Sequence, residues 1–208
     1  YEIALSFLTR GICFIAYGDY FIEELEEKDK KRLELVKQLV KTAGLSEKAG
    51  DTYVLGLSHL WLGVLTGGEE SVGHFEKALE CGNLTRDIFL IAGGLDFLAY
   101  STYWKAIATE DPEKRAELAE KAIRLYEKAR HQYSVISFMS PRDGVIGPPS
   151  GHAEYYFDLA RWETDPEKRL EFLRRSERAG MEALKLAEDS DMPSVVSTTL
   201  HVLSKTLE

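Results

Sequence analysis

The sequence predicts an all-α protein of about nine helices, arranged as stacked antiparallel hairpins, and three observations lead to this prediction. The string DPEKR at Asp111–Arg115 returns 54 positions later (165 against 111) at Asp165–Arg169. Apolar residues recur with helical periodicity along most of the chain, and no stretch alternates polar and apolar residues over the length of a strand. A unit repeated at such a distance is typical of helical-repeat architectures.

In the first half, the pattern predicts helices over 2–17, 19–43, 51–66 and 69–81. Gly44 is expected to end the second helix, because glycine readily adopts the left-handed conformation of a C-terminal cap. Asp51 is expected to start the third, Gly67-Gly68 to separate the third from the fourth, and Gly82-Asn83 to end the fourth. Gly56 and Gly63 lie seven residues apart on one face of the third helix, which predicts close contact with a neighbouring helix.

In the second half, helices are expected over 86–109, 112–133, 152–164 and 166–188, with another from Ser194 onward. Asp111 and Asp165 each precede a proline and a glutamate, which is the order expected of a helix N-cap, a first turn and an acidic residue at the positive helix end. The segment 137–151 has no periodicity and carries Asp143-Gly144 and Pro148-Pro149, so it is interpreted as a loop of about 15 residues.

The composition limits the classes of function. The formal net charge of -9, from 35 acidic and 26 basic residues, argues against broad nucleic-acid binding, which needs a cationic surface. The apolar run 3–17 is shorter than the ~20 residues of a membrane span, so no membrane association is expected. Cys13 and Cys81 show no metal-binding spacing and are interpreted as buried, reduced thiols of a cytoplasmic protein.

Four segments share a pattern of a small residue, then a larger side chain four positions on, then alanine three positions later. The best match is Ala122, Tyr126 and Ala129, followed by Ser71, Phe75 and Ala78; looser matches are Val36, Val40, Ala43 and Ser176, Gly180, Ala183. This pattern resembles the second helix of a tetratricopeptide repeat. Successive alanines stand 35, 51 and 54 residues apart, and only the first spacing is near the family period of 34 residues.

The resemblance implies a right-handed, tetratricopeptide-like superhelix in one domain spanning 1–208. Its hairpins would cover about 1–44, 51–82, 86–133 and 151–188, with a terminal helix over 194–208. Because the chain starts and stops within helical patterns, it is expected to be excised from a larger protein.

The resemblance also implies a concave face lined by the first helix of each hairpin, and five residues on such helices are candidate groove and partner contacts: Asp96, Tyr100, Tyr103, Tyr155 and Asp158. Both carboxylates stand in apolar surroundings, so each is expected either to be paired structurally or to meet a ligand cation. Arg161, a near neighbour in the sequence, is the candidate for the structural partner of Asp158. The aromatics are interpreted as either core or recognition residues.

The leading function is therefore a protein- or peptide-binding scaffold of a regulatory or signalling protein. A small-molecule-sensing helical module is the alternative, and an α-helical enzyme is less favoured because no catalytic motif appears. The histidines lack metal-ligand spacing, so neither metal nor cofactor is expected, and they are interpreted as ordinary partly buried or surface residues. Self-association through end helices is a further alternative.

Overall fold

A computed structural model describes residues 25–137, 147–189, 200 and 203–204. Within those residues the only regular secondary structure is helical, which confirms the all-α class. The seven helices are α1 Leu25–Ala49, α2 Thr52–Thr66, α3 Gly68–Thr85, α4 Ile88–Ile107, α5 Pro112–Ser137, α6 Gly147–Trp162 and α7 Pro166–Asp189. The predicted helix over 2–17 and most of the one from Ser194 lie outside the described residues, so the count of nine stays a prediction.

Helix α1 ends later than the sequence predicted. It continues through Gly44 and ends at Ala49, and Gly50 adopts the positive φ of 72° that had been expected at Gly44. The Asp51 amide donates to the Ser46 carbonyl at 2.9 Å, which satisfies one carbonyl of the last helical turn. The predicted helix end at Gly44 is therefore wrong, because a glycine within a helix ends it only where the following chain can close the cap.

Helix α3 also passes the glycine that was expected to stop it. Gly82 is helical and buried, and the helix ends at Thr85, where Arg86 takes a left-handed φ of 56° and donates its amide to the Gly82 carbonyl. A Cβ on Gly82 would lie 2.9 Å from the Ile91 amide nitrogen of α4. Gly82 therefore allows α4 to approach closely, and the predicted boundary at residue 82 is wrong.

The predicted helix starts are confirmed at three aspartates. The Asp51 carboxylate accepts from the Val54 amide at 3.0 Å. The carboxylates of Asp111 and Asp165 accept from the amides two residues later, at 3.0 and 2.9 Å. Both copies of DPEKR are thus the first turns of α5 and α7, where an aspartate satisfies amides that have no partner within the helix.

Helix α6 begins at Gly147, five residues before the predicted start at His152. Pro148 and Pro149 lie in its first turn, where a missing amide proton leaves no helical hydrogen bond unmade. The predicted loop therefore does not extend to residue 151; its part over 138–146 lies outside the described residues.

The described residues divide into two compact units, and the division falls within α4, between Ser101 and Thr102. In the first unit α1 packs on α2 and α2 on α3. The core is aliphatic and includes Leu39, Val54, Leu60, Leu62 and Leu90. The predicted close approach at two glycines of α2 is confirmed, because an added Cβ would come within 2.7 Å of Cys81 at Gly56 and 2.4 Å of Phe75 at Gly63.

In the second unit α6 packs on both α5 and α7. Its core combines small and aromatic residues, among them Ala122, Ala129, Ala153, Ala183, Tyr103, Tyr126 and Tyr155. The buried Ser176 hydroxyl donates to the Ala153 carbonyl at 2.6 Å and thereby joins α7 to α6. The prediction of one domain over 1–208 stays a prediction.

The predictions about membrane association and about the cysteines can be compared with the described residues. None of the helices there is both long and apolar enough to traverse a bilayer. Cys81 is a buried free thiol, as predicted, and burial raises its pKa above the ordinary value, which makes the thiolate scarce. Cys13 lies outside the described residues.

Candidate functional site

The five predicted site residues are divided between the two units. Asp96 and Tyr100 belong to the first, on α4, while Tyr103 on α4 and Tyr155 and Asp158 on α6 belong to the second. Tyr100 is 50% exposed, and Asp96 is only partly buried although it stands in an apolar stretch of the sequence. A helix that is apolar on most sides is evidently not covered on all of them. Tyr103 and Tyr155 are 2% and 3% exposed.

A tyrosine cluster, formed by Tyr103, Tyr126 and Tyr155, lies in the core of the second unit. The ring centroid of Tyr155 is 3.7 Å from that of Tyr103 and 4.7 Å from that of Tyr126, and the rings are tilted in both pairs. The Tyr155 hydroxyl donates to the Tyr126 hydroxyl at 2.6 Å. The cluster joins α4, α5 and α6 through aromatic contact and provides hydrogen bonds for hydroxyls that burial would otherwise leave without water.

Asp158 connects the tyrosine cluster to the surface. Its carboxylate accepts a hydrogen bond from the Tyr103 hydroxyl, and the Arg161 guanidinium approaches it to 3.4 Å, which confirms Arg161 as its structural partner. The Asp158 side chain is 14% exposed and that of Arg161 is 65% exposed. Burial, together with the hydrogen bond to Asp158, raises the pKa of Tyr103 well above its ordinary value. Tyr103 therefore stays a neutral hydrogen-bond donor to Asp158.

Helical spacing explains how α6 positions these groups. Tyr155, Asp158 and Arg161 follow one another at intervals of three residues, so they lie along one side of the helix. On α4, Tyr103 and Trp104 are consecutive and therefore point to different sides. Tyr103 is buried, whereas Trp104 is 51% exposed and meets the Tyr103 ring edge-on at a centroid distance of 6.0 Å.

We define the Trp104 surface as Trp104, Asp158 and Arg161. All three side chains reach solvent to some extent, and the buried Tyr103 contacts both Trp104 and Asp158. The arrangement combines an exposed aromatic plane, a fixed carboxylate and an accessible guanidinium. These groups are chemically suited to hydrophobic contact, hydrogen-bond acceptance and pairing with an anion.

A second group of aromatic and charged residues ties together α5, α6 and α7. The Tyr156 hydroxyl donates to Glu127 at 3.3 Å, and the Arg175 guanidinium lies 5.7 Å from the Tyr156 ring centroid. Arg115, from the first DPEKR copy, lies 5.4 Å from the ring of Trp162 and donates to the Thr109 carbonyl at 2.8 Å. These contacts stabilise the packing of neighbouring helices, so they account for the residues without requiring a ligand.

A further pair, which sequence reasoning missed, lies in the first unit. The Nδ1 atoms of His59 on α2 and His74 on α3 are 2.9 Å apart, and the ring centroids are 5.1 Å apart. A signal existed, because the two residues stand eight positions before and seven after Gly67, the turn between the helices. Residues at nearly equal distances from a tight turn between packed helices can face each other, but only the spacings of metal-binding motifs had been considered.

In the part of the chain that the structure describes, no three or more His, Cys, Asp or Glu side chains converge as a metal site would require. Comparison of the chain with protein-family models and with curated proteins finds no match. The tetratricopeptide-like arrangement consequently stays a prediction from the sequence.

Proposed function

We propose that this chain is a protein- or peptide-binding interaction domain of a larger regulatory or signalling protein, in which helical hairpins form a right-handed tetratricopeptide-like superhelix. The Trp104 surface is the observation that carries the proposal. It presents the residue types that dominate the binding energy of protein interfaces, on two helices of a packed unit.

Trp104 is the central contact in this proposal. About half of its area is accessible, so a partner side chain packed on it would remove a large apolar surface from water. Its edge-on contact with Tyr103 limits its motion. Because the indole is already held in place, a partner loses little conformational entropy in ordering it.

In this proposal, Asp158 and Arg161 orient the partner through directional hydrogen bonds and ion pairs. Arg161 is largely exposed and offers a planar donor fork to a carboxylate or backbone carbonyl of the partner. Asp158 is held by Tyr103 and Arg161, so its remaining lone pairs have a defined orientation toward a backbone amide or a cationic side chain. A peptide carrying an apolar side chain next to a polar group fits this combination.

Tyr103 and Tyr155 have a supporting role in this proposal. Both were candidate contacts, but both are buried, so they would act by holding Asp158 and Trp104 in place. Asp96 and Tyr100 are candidate contacts on the first unit, and a Tyr100 variant tests whether that unit contributes to binding.

The test is selection of peptides from a random displayed library against the whole chain, followed by affinity measurement with purified variants. Trp104→Ala should weaken binding of the selected peptides by about 30-fold, which corresponds to a hot-spot loss near 2 kcal/mol. Leu170→Ala is the matched control, because Leu170 is a similarly exposed apolar residue (48%) on α7 of the same unit.

Failure to select any peptide, or equal losses in the Trp104 and Leu170 variants, would contradict the proposal. The affinity of the Tyr100→Ala variant for the selected peptides measures whether the first unit contributes to binding. A loss there that exceeds the Leu170 control assigns contacts to both units, and no loss confines binding to the second unit.

A further inference from the structure

The histidine pair of the first unit brings two metal-binding atoms together across two helices. His59 and His74 direct their Nδ1 atoms at each other, with 2.9 Å between the nitrogens. Two imidazole nitrogens bound to one tetrahedral Zn²⁺ at 2.0–2.1 Å are about 3.3 Å apart. An outward movement of roughly 0.4 Å, which small side-chain rotations can supply, would therefore admit an ion between them.

The backbones that carry the two rings are fixed by close packing on either side. Gly63 follows His59 by one helical turn, and a Cβ there would lie 2.4 Å from the Phe75 ring, next to His74. Gly56, three residues before His59, approaches the Cβ of Cys81 in the same manner. Because α2 and α3 cannot separate freely, the two nitrogens are held near each other before any ligand arrives.

The protonation state of the pair suits a metal ion. Burial lowers the pKa of both imidazoles below the ordinary 6.5, and the His74 charge lowers that of His59 further. Both rings are therefore neutral at pH 7. The Nδ1–Nδ1 hydrogen bond requires a proton on one Nδ1; moving it to Nε2 of that ring frees both lone pairs with no net release of a proton.

The surrounding charges and the exposure of the pair also matter. The negative charge of Glu47 attracts a cation at His59, and that of Glu70 attracts one at His74. The positive charge of Lys77 opposes a cation at His59. Two carboxylates against one ammonium favour a cation at this position. Both rings are only partly buried, so an ion can enter from water and keep water molecules as its remaining ligands.

We propose that His59 and His74 bind a divalent transition-metal ion, Cu²⁺ or Zn²⁺, through their two Nδ1 atoms, with water completing the coordination. Imidazole suits both ions, and the general order of stability places Cu²⁺ above Zn²⁺. The ion would link α2 to α3 and thereby stabilise the folded first unit in proportion to its occupancy.

The test uses the whole chain without an affinity tag, titrated at pH 7.5 with Cu²⁺ alone and with Zn²⁺ alone by calorimetry. We expect one ion per chain and tighter binding of Cu²⁺. Electron paramagnetic resonance of the Cu²⁺ form should show splitting from two imidazole nitrogens. His59→Gln and His74→Gln should each weaken binding more than the roughly tenfold that loss of an outer-shell partner costs.

His131→Gln is the matched control, because His131 is an exposed histidine on α5 of the second unit and should leave the affinity unchanged. Circular dichroism of each variant verifies that it is folded. If either variant fails to fold, perturbation of the His59 and His74 ring signals in nuclear magnetic resonance of the unaltered chain decides. Equal affinities in all three variants, signals from other histidines only, or no binding at millimolar ion would overturn the proposal.

Discussion

The two units achieve close helix packing by different chemistry. In the first, glycines on one helix admit the side chains or backbone of the next, as Gly63 admits Phe75 and Gly82 admits the start of α4. In the second, Gly180 also admits Leu203, but the core is rich in buried alanines and in tyrosines whose hydroxyls pair with each other or with Asp158. A glycine contact buries no side-chain polar group, so it needs no additional hydrogen bond. In a core that contains tyrosines, each buried hydroxyl must find a hydrogen-bond partner.

Because of this difference, different changes should destabilise each unit. The first unit should tolerate little added volume, because its closest contacts already lack a Cβ. The free energy of unfolding of the second unit should fall when a single tyrosine hydroxyl is removed or when a buried tyrosine ionises. Four predictions test the comparison, beginning with the largest expected effect.

Gly82→Ala should destabilise the first unit by about 3 kcal/mol, because the new methyl group would meet the backbone amide of Ile91, which cannot rotate away. Hydrogen exchange, followed separately for each unit during urea unfolding, measures the change. Gly73→Ala is the control: Gly73 lies on the same helix with no atom within 4 Å of a Cβ, and alanine there should stabilise by about 1 kcal/mol. Stabilisation by both variants would show that helix propensity, rather than close contact, governs these positions.

Tyr103→Phe should destabilise the second unit by about 2 kcal/mol at pH 7, because it removes a hydrogen bond to a carboxylate. The pKa of Tyr103 is raised above its ordinary value of 10, so its contribution is fully present below pH 10 and is lost as the pH rises further. Urea unfolding at pH 7 and pH 11 should therefore show a smaller alkaline loss in the variant. Part of the loss should persist through Tyr156, whose pKa burial also raises.

Tyr155→Phe should destabilise the second unit by about 1 kcal/mol, since it removes the hydroxyl that donates to Tyr126. A double-mutant cycle with Tyr126→Phe isolates this hydrogen bond, and a coupling free energy of about 1 kcal/mol is expected for two groups in contact. Additive losses would mean that the two hydroxyls contribute through other partners.

Arg130→Ala should have the smallest effect, a loss of about 0.5 kcal/mol or less. Arg130 on α5 contacts both carboxylate oxygens of Glu182 on α7, at 2.5 and 2.8 Å, but both side chains are well exposed. The loss should shrink in 1 M salt, where screening is stronger. Arg124→Ala, which breaks an ion pair within α5, provides the comparison. A large, salt-independent loss would show that this pair orders the helix packing.

Much of the helix pattern could be predicted because helix starts have local causes. Asp51, Asp111 and Asp165 cap the helices that follow them, and all three were recognised from the sequence. The helix ends at Gly44 and Gly82 were predicted wrongly, since a glycine has more than one structural use. At Gly82 the deciding contact comes from Ile91 on another helix, and no local rule contains that information.

Among the site residues, the pairing of Asp158 with Arg161 was predictable because both stand on one helix at a spacing of three. The bond from Tyr103 to Asp158 crosses 55 positions, and the sequence offers no spacing rule for such a distance. The same holds for exposure: Tyr103 and Trp104 are adjacent aromatic residues, yet one is buried and the other is half exposed.

The sequence by itself determined the helical class and the aspartate caps, because helical periodicity and capping depend on residues within a few positions of each other. Tertiary structure alone decided which glycines end helices, which aromatics reach solvent and that His59 meets His74. Each of these depends on what an adjacent helix places against the residue, and the contacts at Gly82 and between the two Nδ1 atoms exist only once α2, α3 and α4 have packed together.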